Sequence, residues 1–539
     1  MRARMLAILV VGTALNLGLA EPAAAQARTP RDTLVMAWNI DNILTMDPAQ
    51  IGEALTDEIV NNICDQLVGF EPDDAAKLRP ALAERWDVSE DGRTYTFHLR
   101  RGIRHPSGNP VTAEDAAWTI RRVMWLGFGN AANLGEWGLS ADKIEEQVRA
   151  VDEHTLQVTT PEAWPPSLFL SVFAGRQGIV LDRKAIEPHF ARRTDGSPDH
   201  GNAWLKTNLA CVGPYRLARW TASDTVILER NPGYWGGDAP MRRVIIRHIV
   251  ESAAQRLMLE RGDVDMARDL NGEDSAAVDA NPNLRLLKAL RQQLWYISAN
   301  MQNPILANQD VRMALRWLID YRGLERTVMR YAGPAWNSFA PREAFGALAP
   351  EEGVPFSLDL DKAREHLARA GHPNGFTIRM IHGSGFPYPD LVQHLQGNAA
   401  KVGIRIELEQ MAYSQVSNRI RDRNFALAIS AWTPGYEDAD ANAMRHVFNP
   451  DNRAEARETM YLSWRVSYYD EEMNRAVVAA RRERDPDRRI QMYHAMQRRF
   501  MQEGPFIYAF QQVRLLAVGP GLRDIKQSSR RVAYNTATK

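Results

Sequence analysis

Three acidic residues crowd one short segment, Trp432-Thr-Pro-Gly-Tyr-Glu-Asp-Ala-Asp440. Paired carboxylates can protonate a leaving oxygen and activate water, so Glu437, Asp438 and Asp440 keep a secreted hydrolase of peptides or glycans among the readings. Adjacent acids on a loop more often face solvent. The histidines are scattered: His98, His105, His366, His372, His382 and His394 fall in several predicted elements, and their spacing supports no metal site. The string His382-Gly-Ser-Gly385 lacks the glycine that a nucleophile elbow carries two residues before its serine. No H-E-x-x-H, G-x-x-x-x-G-K-[ST] or G-x-G-x-x-G string occurs. No catalytic residue, resident metal or cofactor is therefore expected, and binding is favoured over catalysis.

The elements that must position such residues change character along the chain. Residues 33–38 (TLVMAW) read as a strand, and Leu55, Ile59, Ile63 and Leu67 are spaced for one face of a helix over 53–67. Residues 94–99 (TYTFHL) alternate with the strand period, and Thr112-Ala-Glu-Asp115 reads as a capping box opening a helix. Strands follow at 225–229 and 243–249. From about residue 290 strands alternate with helices: strand 294–299, helices 310–320 and 359–370, strand 376–381, helix 391–402, strand 404–409, helix 414–421 and strand 425–432. That alternation predicts an α/β lobe whose sheet contains parallel pairs. The run RRERDPDRR at 481–489 mixes both signs and is expected to be a solvated junction between helices.

Composition excludes several classes. The 539 residues carry 66 basic and 66 acidic side chains, so no global field favours nucleic acid. Two cysteines rule out a disulfide scaffold or a Cys-rich metal module. Cys64 and Cys211 are either one disulfide or two separate buried thiols, because sequence does not supply their separation. At the N-terminus, Arg2 and Arg4 precede an almost unbroken apolar or small stretch, and Ala25-x-Ala27 offers small residues to a signal peptidase. The apolar run is about 16 residues, short of the ~20 that span a bilayer. Residues 1–27 are thus expected to be a cleavable signal peptide. No cysteine stands at the cleavage site to carry a lipid, and the expected location is a Gram-negative periplasm.

Several segments in order along the chain resemble the oligopeptide/dipeptide-binding proteins of ABC transporters, the family 5 solute-binding group. They are Leu44-Thr-Met-Asp-Pro48, Gln66-Leu-Val-Gly-Phe70, Pro80-Ala-Leu-Ala-Glu-Arg-Trp86, Asp91-Gly-Arg-Thr-Tyr-Thr-Phe-His-Leu-Arg100 and Pro110-Val-Thr-Ala-Glu-Asp115. Gly213-Pro-Tyr215, Leu228-Glu-Arg-Asn-Pro-Gly-Tyr-Trp235, Gly262-Asp-Val-Asp265 and Asp310-Val-Arg-Met-Ala-Leu315 continue the series. The resemblance implies a two-lobed α/β periplasmic-binding-protein fold, type II-like, that closes as a hinged clamp. Lobe I would hold 28–290 and the returning tail 510–539, with a family-specific subdomain at about 75–207. Lobe II would be 291–509.

The resemblance also implies a monomer that delivers a peptide or peptide-like solute to a membrane permease and its ATPase. Some relatives instead hold a metal complex or haem. By position, Glu53 and Ala54 correspond to an edge segment offered to the ligand backbone, and Trp295, Tyr413, Trp432 and Tyr508 to aromatics at or beside the cleft. Peptide-binding members carry an aspartate three residues after the tryptophan matching Trp432, where it pairs with the ligand's α-ammonium. Here that residue is Gly435. Either Asp438 or Glu437, beside Tyr436, replaces the missing carboxylate, or the ligand has no free peptide amine.

Overall fold

The computed structural model describes residues 29–539, and the expected signal peptide at 1–27 lies outside them. The Thr33–Trp38 strand is apolar at nearly every position because both its faces are covered. It runs parallel to Arg243–His248 on one side and Met266–Ala267 on the other. Thr94–Leu99 instead alternates buried and half-buried residues, as a sheet packed on one face requires.

Among the described residues the largest sheet has ten strands. Its order is Arg405–Met411, Thr377–Gly383, Leu427–Trp432, Arg285–Ala299, Phe506–Val518, Met266–Ala267, Thr33–Trp38, Arg243–His248, Thr225–Arg230 and Tyr215–Thr221. The antiparallel strands Arg285–Ala299 and Phe506–Val518 join the two halves. Leu294–Ala299 pairs with Leu427–Trp432 in the C-terminal half, and Ala517 and Val518 pair with Met266–Ala267 in the N-terminal half. Their mutual register breaks between Leu290 and Leu294. Buried Gln511 closes the break: its amide donates to the Arg291 carbonyl at 2.9 Å, and its Oε1 accepts from the Arg342 N–H at 2.8 Å.

A separate four-stranded sheet, Ala83–Val88, Thr94–Leu99, Thr155–Thr159 and Val148–Asp152 in spatial order, packs against the Ala113–Leu126 helix. The predicted capping box opens that helix: Asp115 N–H donates to Thr112 Oγ1 at 3.2 Å, and Thr112 N–H to Asp115 Oδ2 at 3.0 Å. The Asp47 of the Leu-Thr-Met-Asp-Pro motif takes both guanidinium arms of Arg122, at 2.8 and 2.6 Å, with both residues buried. Leu522, Val532 and Tyr534 of the tail pack into the same core as Leu34 and Met36.

Two expectations are corrected, and a third is met except at two residues. The helix predicted at 53–67 is Ala54–Asn61, because the Asn62 amide reaches to the Glu58 and Val532 carbonyls and Leu67 N–H bonds to the Gly178 carbonyl. Ile63 and Leu67 are buried all the same, so their spacing signalled burial and not helix. The strand predicted at 294–299 begins at Arg285, its first half hidden by the charged residues Arg285, Lys288 and Arg291. The 481–489 run does join two helices, Glu471–Arg482 and Pro486–Glu503, but Arg481 and Arg489 are buried.

Cys64 and Cys211 form a disulfide with Cα atoms 5.3 Å apart, which decides between the two cysteine readings. Among the described residues no helix is long and apolar enough to cross a membrane.

Candidate ligand-binding cleft

The Leu427–Trp432 strand ends at a loop whose backbone is held from behind by its own acids. Asp438 accepts both arms of Arg489 at 2.7 Å. Asp440 accepts the Tyr436 hydroxyl at 2.6 Å and the Tyr493 hydroxyl at 3.0 Å. Glu437 accepts the Ser529 hydroxyl at 2.5 Å, and Arg530 Nε lies 3.3 Å away. Burial pushes the Glu437 carboxyl up, and the Arg530 guanidinium and Ser529 hydroxyl pull it back. All three acids are buried.

With these acids turned inward, the loop presents Trp432, Thr433, Gly435 and Tyr436 to a cavity of about 210 Å³. Asn133, Glu136, Trp137, Ser171 and Gln177 form the facing wall, and Arg445 and Arg530 complete the lining. The walls already touch. The Trp137 and Tyr436 rings are 5.7 Å apart, Glu136 pairs with Arg445, and Arg482 reaches Glu162 at 2.7 Å. The Arg481 guanidinium lies over both Trp137 and Trp164, at 4.9 and 5.1 Å. The Arg530 Nη2 donates to the Gly435 carbonyl at 2.9 Å. Trp432 Nε1 is buried with no acceptor among the described residues.

Two wider cavities adjoin the crossing strands, and Val513 lines both. One, of about 520 Å³, is walled by Trp38, Asn39, Leu55, Arg291, Trp295 and Tyr331. Beneath it, Glu58 takes both arms of Arg268, at 2.5 and 3.0 Å, and the Tyr534 hydroxyl at 3.0 Å. Arg268 in turn covers the Trp38 ring at 3.8 Å. The other, of about 670 Å³, is acidic, with Asp73, Asp74, Glu343 and Glu437 against Lys288.

The sequence candidates are therefore spread unevenly. Trp432, Gly435 and Tyr436 share the smaller cavity, and Trp295 lines the 520 Å³ one. Tyr413 is 46% exposed and stacks on Tyr388 at 5.7 Å; it meets Trp432 in a small neighbouring recess. Glu53 and Ala54 begin the helix whose next residue, Leu55, lines the larger cavity.

Three further candidates do not line the smaller cavity. Tyr508 is core: its hydroxyl shares a hydrogen bond with His446 Nδ1 at 2.8 Å, and it packs on Tyr296. Asp438 is committed to Arg489 and does not reach the cavity, and Glu437 faces Ser529. All three acids of the loop are buried, and each is held by a partner within the chain. Glu136, Trp137, Gln177, Arg445 and Arg530 come from segments that share no local motif, so spacing does not single them out.

Fold and cleft together define a two-lobed α/β binding protein. The chain belongs to the bacterial extracellular solute-binding proteins, family 5, whose model matches residues 77–453. It is 25% identical over 500 residues to the probable D,D-dipeptide-binding periplasmic protein DdpA of Escherichia coli K12, covering 92% of this chain and 91% of that one. Among solved structures it resembles HbpA2 of Haemophilus parasuis, with a TM-score of 0.79 at 22% identity over 94% of this chain and 99% of that one. It also resembles DppA of Helicobacter pylori in complex with the peptide STSA, with a TM-score of 0.72 at 22% identity over 94% and 98%.

Proposed function

We propose that this chain is the periplasmic binding component of an ABC importer. It captures a peptide-like organic solute whose amine is blocked or absent, and it delivers that solute to the membrane permease without making or breaking a bond. The named relatives support the peptide-like class: one is described as D,D-dipeptide-binding, and a second, at 26% identity, as glutathione-binding.

The observation that carries the finer reading is the contact of Arg530 with the Gly435 carbonyl. A family aspartate at this position would receive an α-ammonium. Here the wall presents a guanidinium, and the nearby acids are already paired. A buried ammonium with no carboxylate partner is costly, so this end of the cavity favours a neutral or anionic group.

In this reading lobe I comprises 28–290 and 510–539, lobe II comprises 291–509, and the subdomain at about 75–207 supplies the wall with Trp137. A solute that touches both walls makes its full set of contacts only in the closed state, so binding shifts the population toward closure.

The test begins with native mass spectrometry of protein produced in a periplasm, to identify what travels with it. Calorimetry then compares short peptides with their N-acetyl forms. The N-acetyl forms should bind at least about tenfold tighter, equivalent to roughly 1.4 kcal/mol. Free-amine peptides binding as tightly would reject the blocked-amine reading, and failure of both, with no co-purified solute, would reject the peptide-like class.

A further inference from the structure

Away from the cleft, His105, Asp115 and Asp182 converge inside the subdomain, and one donor atom from each lies within 4.8 Å of the other two. His105 is 3% exposed, Asp115 8% and Asp182 1%. Neither ring nitrogen of His105 has a hydrogen-bond partner among the described residues. That is an expensive arrangement for a buried imidazole beside two carboxylates. Among the described residues no Lys or Arg side chain forms an ion pair with either acid; Arg183, next in sequence to Asp182, turns its guanidinium to Glu114 at 3.0 Å.

Both carboxylates are held in place. Asp115 accepts from Thr112 N–H, Thr112 Oγ1 and Arg183 N–H at 3.0, 2.6 and 3.2 Å. Asp182 accepts from Ser107 Oγ at 2.5 Å, Asn109 Nδ2 at 3.1 Å and Ala185 N–H at 3.0 Å. The backbone of His105 is fixed as well, its N–H bonded to the Asn109 carbonyl at 2.9 Å and its carbonyl to Gly108 N–H at 2.8 Å. Hydrogen-bonded carboxylates beside an imidazole whose one nitrogen lone pair and one N–H are both unpartnered are what a metal-binding site presents before it is filled.

We propose that His105, Asp115 and Asp182 form a binding site for a divalent transition cation. Metal–ligand bonds of about 2.0–2.2 Å place opposite ligands roughly 4 Å apart, so small side-chain rotations close the observed spread. One imidazole nitrogen with two carboxylate oxygens suits Zn2+ or Mn2+ better than Mg2+ or Ca2+, which favour all-oxygen shells. The two carboxylates neutralise the ion. Its place is structural: it fastens the 103–110 turn to the Ala113–Leu126 helix and to the segment where Leu181 pairs with Cys211.

The test uses tag-free protein stripped with a chelator and titrated with Zn2+, with Mn2+, Mg2+ and Ca2+ in parallel. After desalting, one equivalent of Zn2+ or Mn2+ per chain should remain, and the thermal midpoint should rise by several degrees, because a ligand held by the folded state stabilises it. His105→Gln and Asp182→Asn should each weaken retention by at least about 100-fold. X-ray absorption of the loaded wild-type protein should show one imidazole among oxygen donors, a readout that needs no variant to fold. Absence of retained metal, equal retention by the variants, preference for Mg2+ or Ca2+, or a shell with no imidazole or with several would each overturn the site.

Discussion

Arg489 donates to both carboxylate oxygens of Asp438 at 2.7 Å, and both side chains are buried. This pair ties the Pro486–Glu503 helix to the loop that carries Trp432 and Gly435, so the acid fixes the loop's position. Asp438→Ala strands a buried guanidinium and should cost about 3–5 kcal/mol in urea unfolding. An Asp438→Leu/Arg489→Met double variant should lose distinctly less than Asp438→Ala, because no uncompensated charge remains. A double variant as unstable as the single one would show that the pair itself, and not the orphaned charge, governs the loss.

The same pair shows where the sequence stopped being legible. Thr33–Trp38, the capping box at Thr112 and the alternating elements from 377 to 432 announce themselves, because burial and local hydrogen bonds leave a periodic trace. The run at 481–489 does not, since an arginine reads alike whether it meets water or a carboxylate 51 positions away, as Arg489 does. For the 210 Å³ cavity, family resemblance singled out Trp432, Gly435 and Tyr436 among the lining residues. Trp137, Gln177, Arg445 and Arg530 come together only by folding, as do His105, Asp115 and Asp182.

His446 makes stability depend on pH. It is fully buried, its Nδ1 is hydrogen-bonded to the Tyr508 hydroxyl, and burial pushes its pKa down from 6.5 to about 3, with Arg465 adding to the shift. Between those values the unfolded chain binds a proton that the folded one refuses. The stabilisation is therefore complete above about pH 6.5 and is lost as pH falls toward 3, on the order of a kcal/mol per pH unit. Measured by denaturant unfolding at several pH values, His446→Gln should be less stable than wild type at pH 7, and the gap should narrow toward pH 4. A constant gap would contradict the assignment.

The Cys64–Cys211 disulfide joins positions 147 apart in sequence. It links the end of the Ala54–Asn61 helix to the approach to the Tyr215–Thr221 strand. Replacing both cysteines with serine should cost about 2–5 kcal/mol, chiefly by releasing the unfolded chain from a long closed loop. Reductant should lower the unfolding midpoint of the wild-type protein and leave that of the double variant unchanged. A reductant effect on the double variant would locate the sensitivity elsewhere.

Gly435 gives the most direct handle on ligand choice. A Cβ built there meets nothing within 4 Å, and its backbone lies outside the left-handed region, so a side chain enters the cavity without strain. Gly435→Asp should therefore fold normally and restore a carboxylate to the wall where Trp432 and Tyr436 stand. If the present wall rejects an ammonium for want of that charge, the variant should gain at least about tenfold in affinity for free-amine peptides relative to their N-acetyl forms. Arg530, bonded to the Gly435 carbonyl, is placed to capture the new carboxylate for itself. In that case the gain should emerge only when Arg530→Ala is added. Calorimetry on the single and double variants separates the two outcomes, and no change of preference in either would mean that recognition of the ligand's terminus lies elsewhere in the cleft.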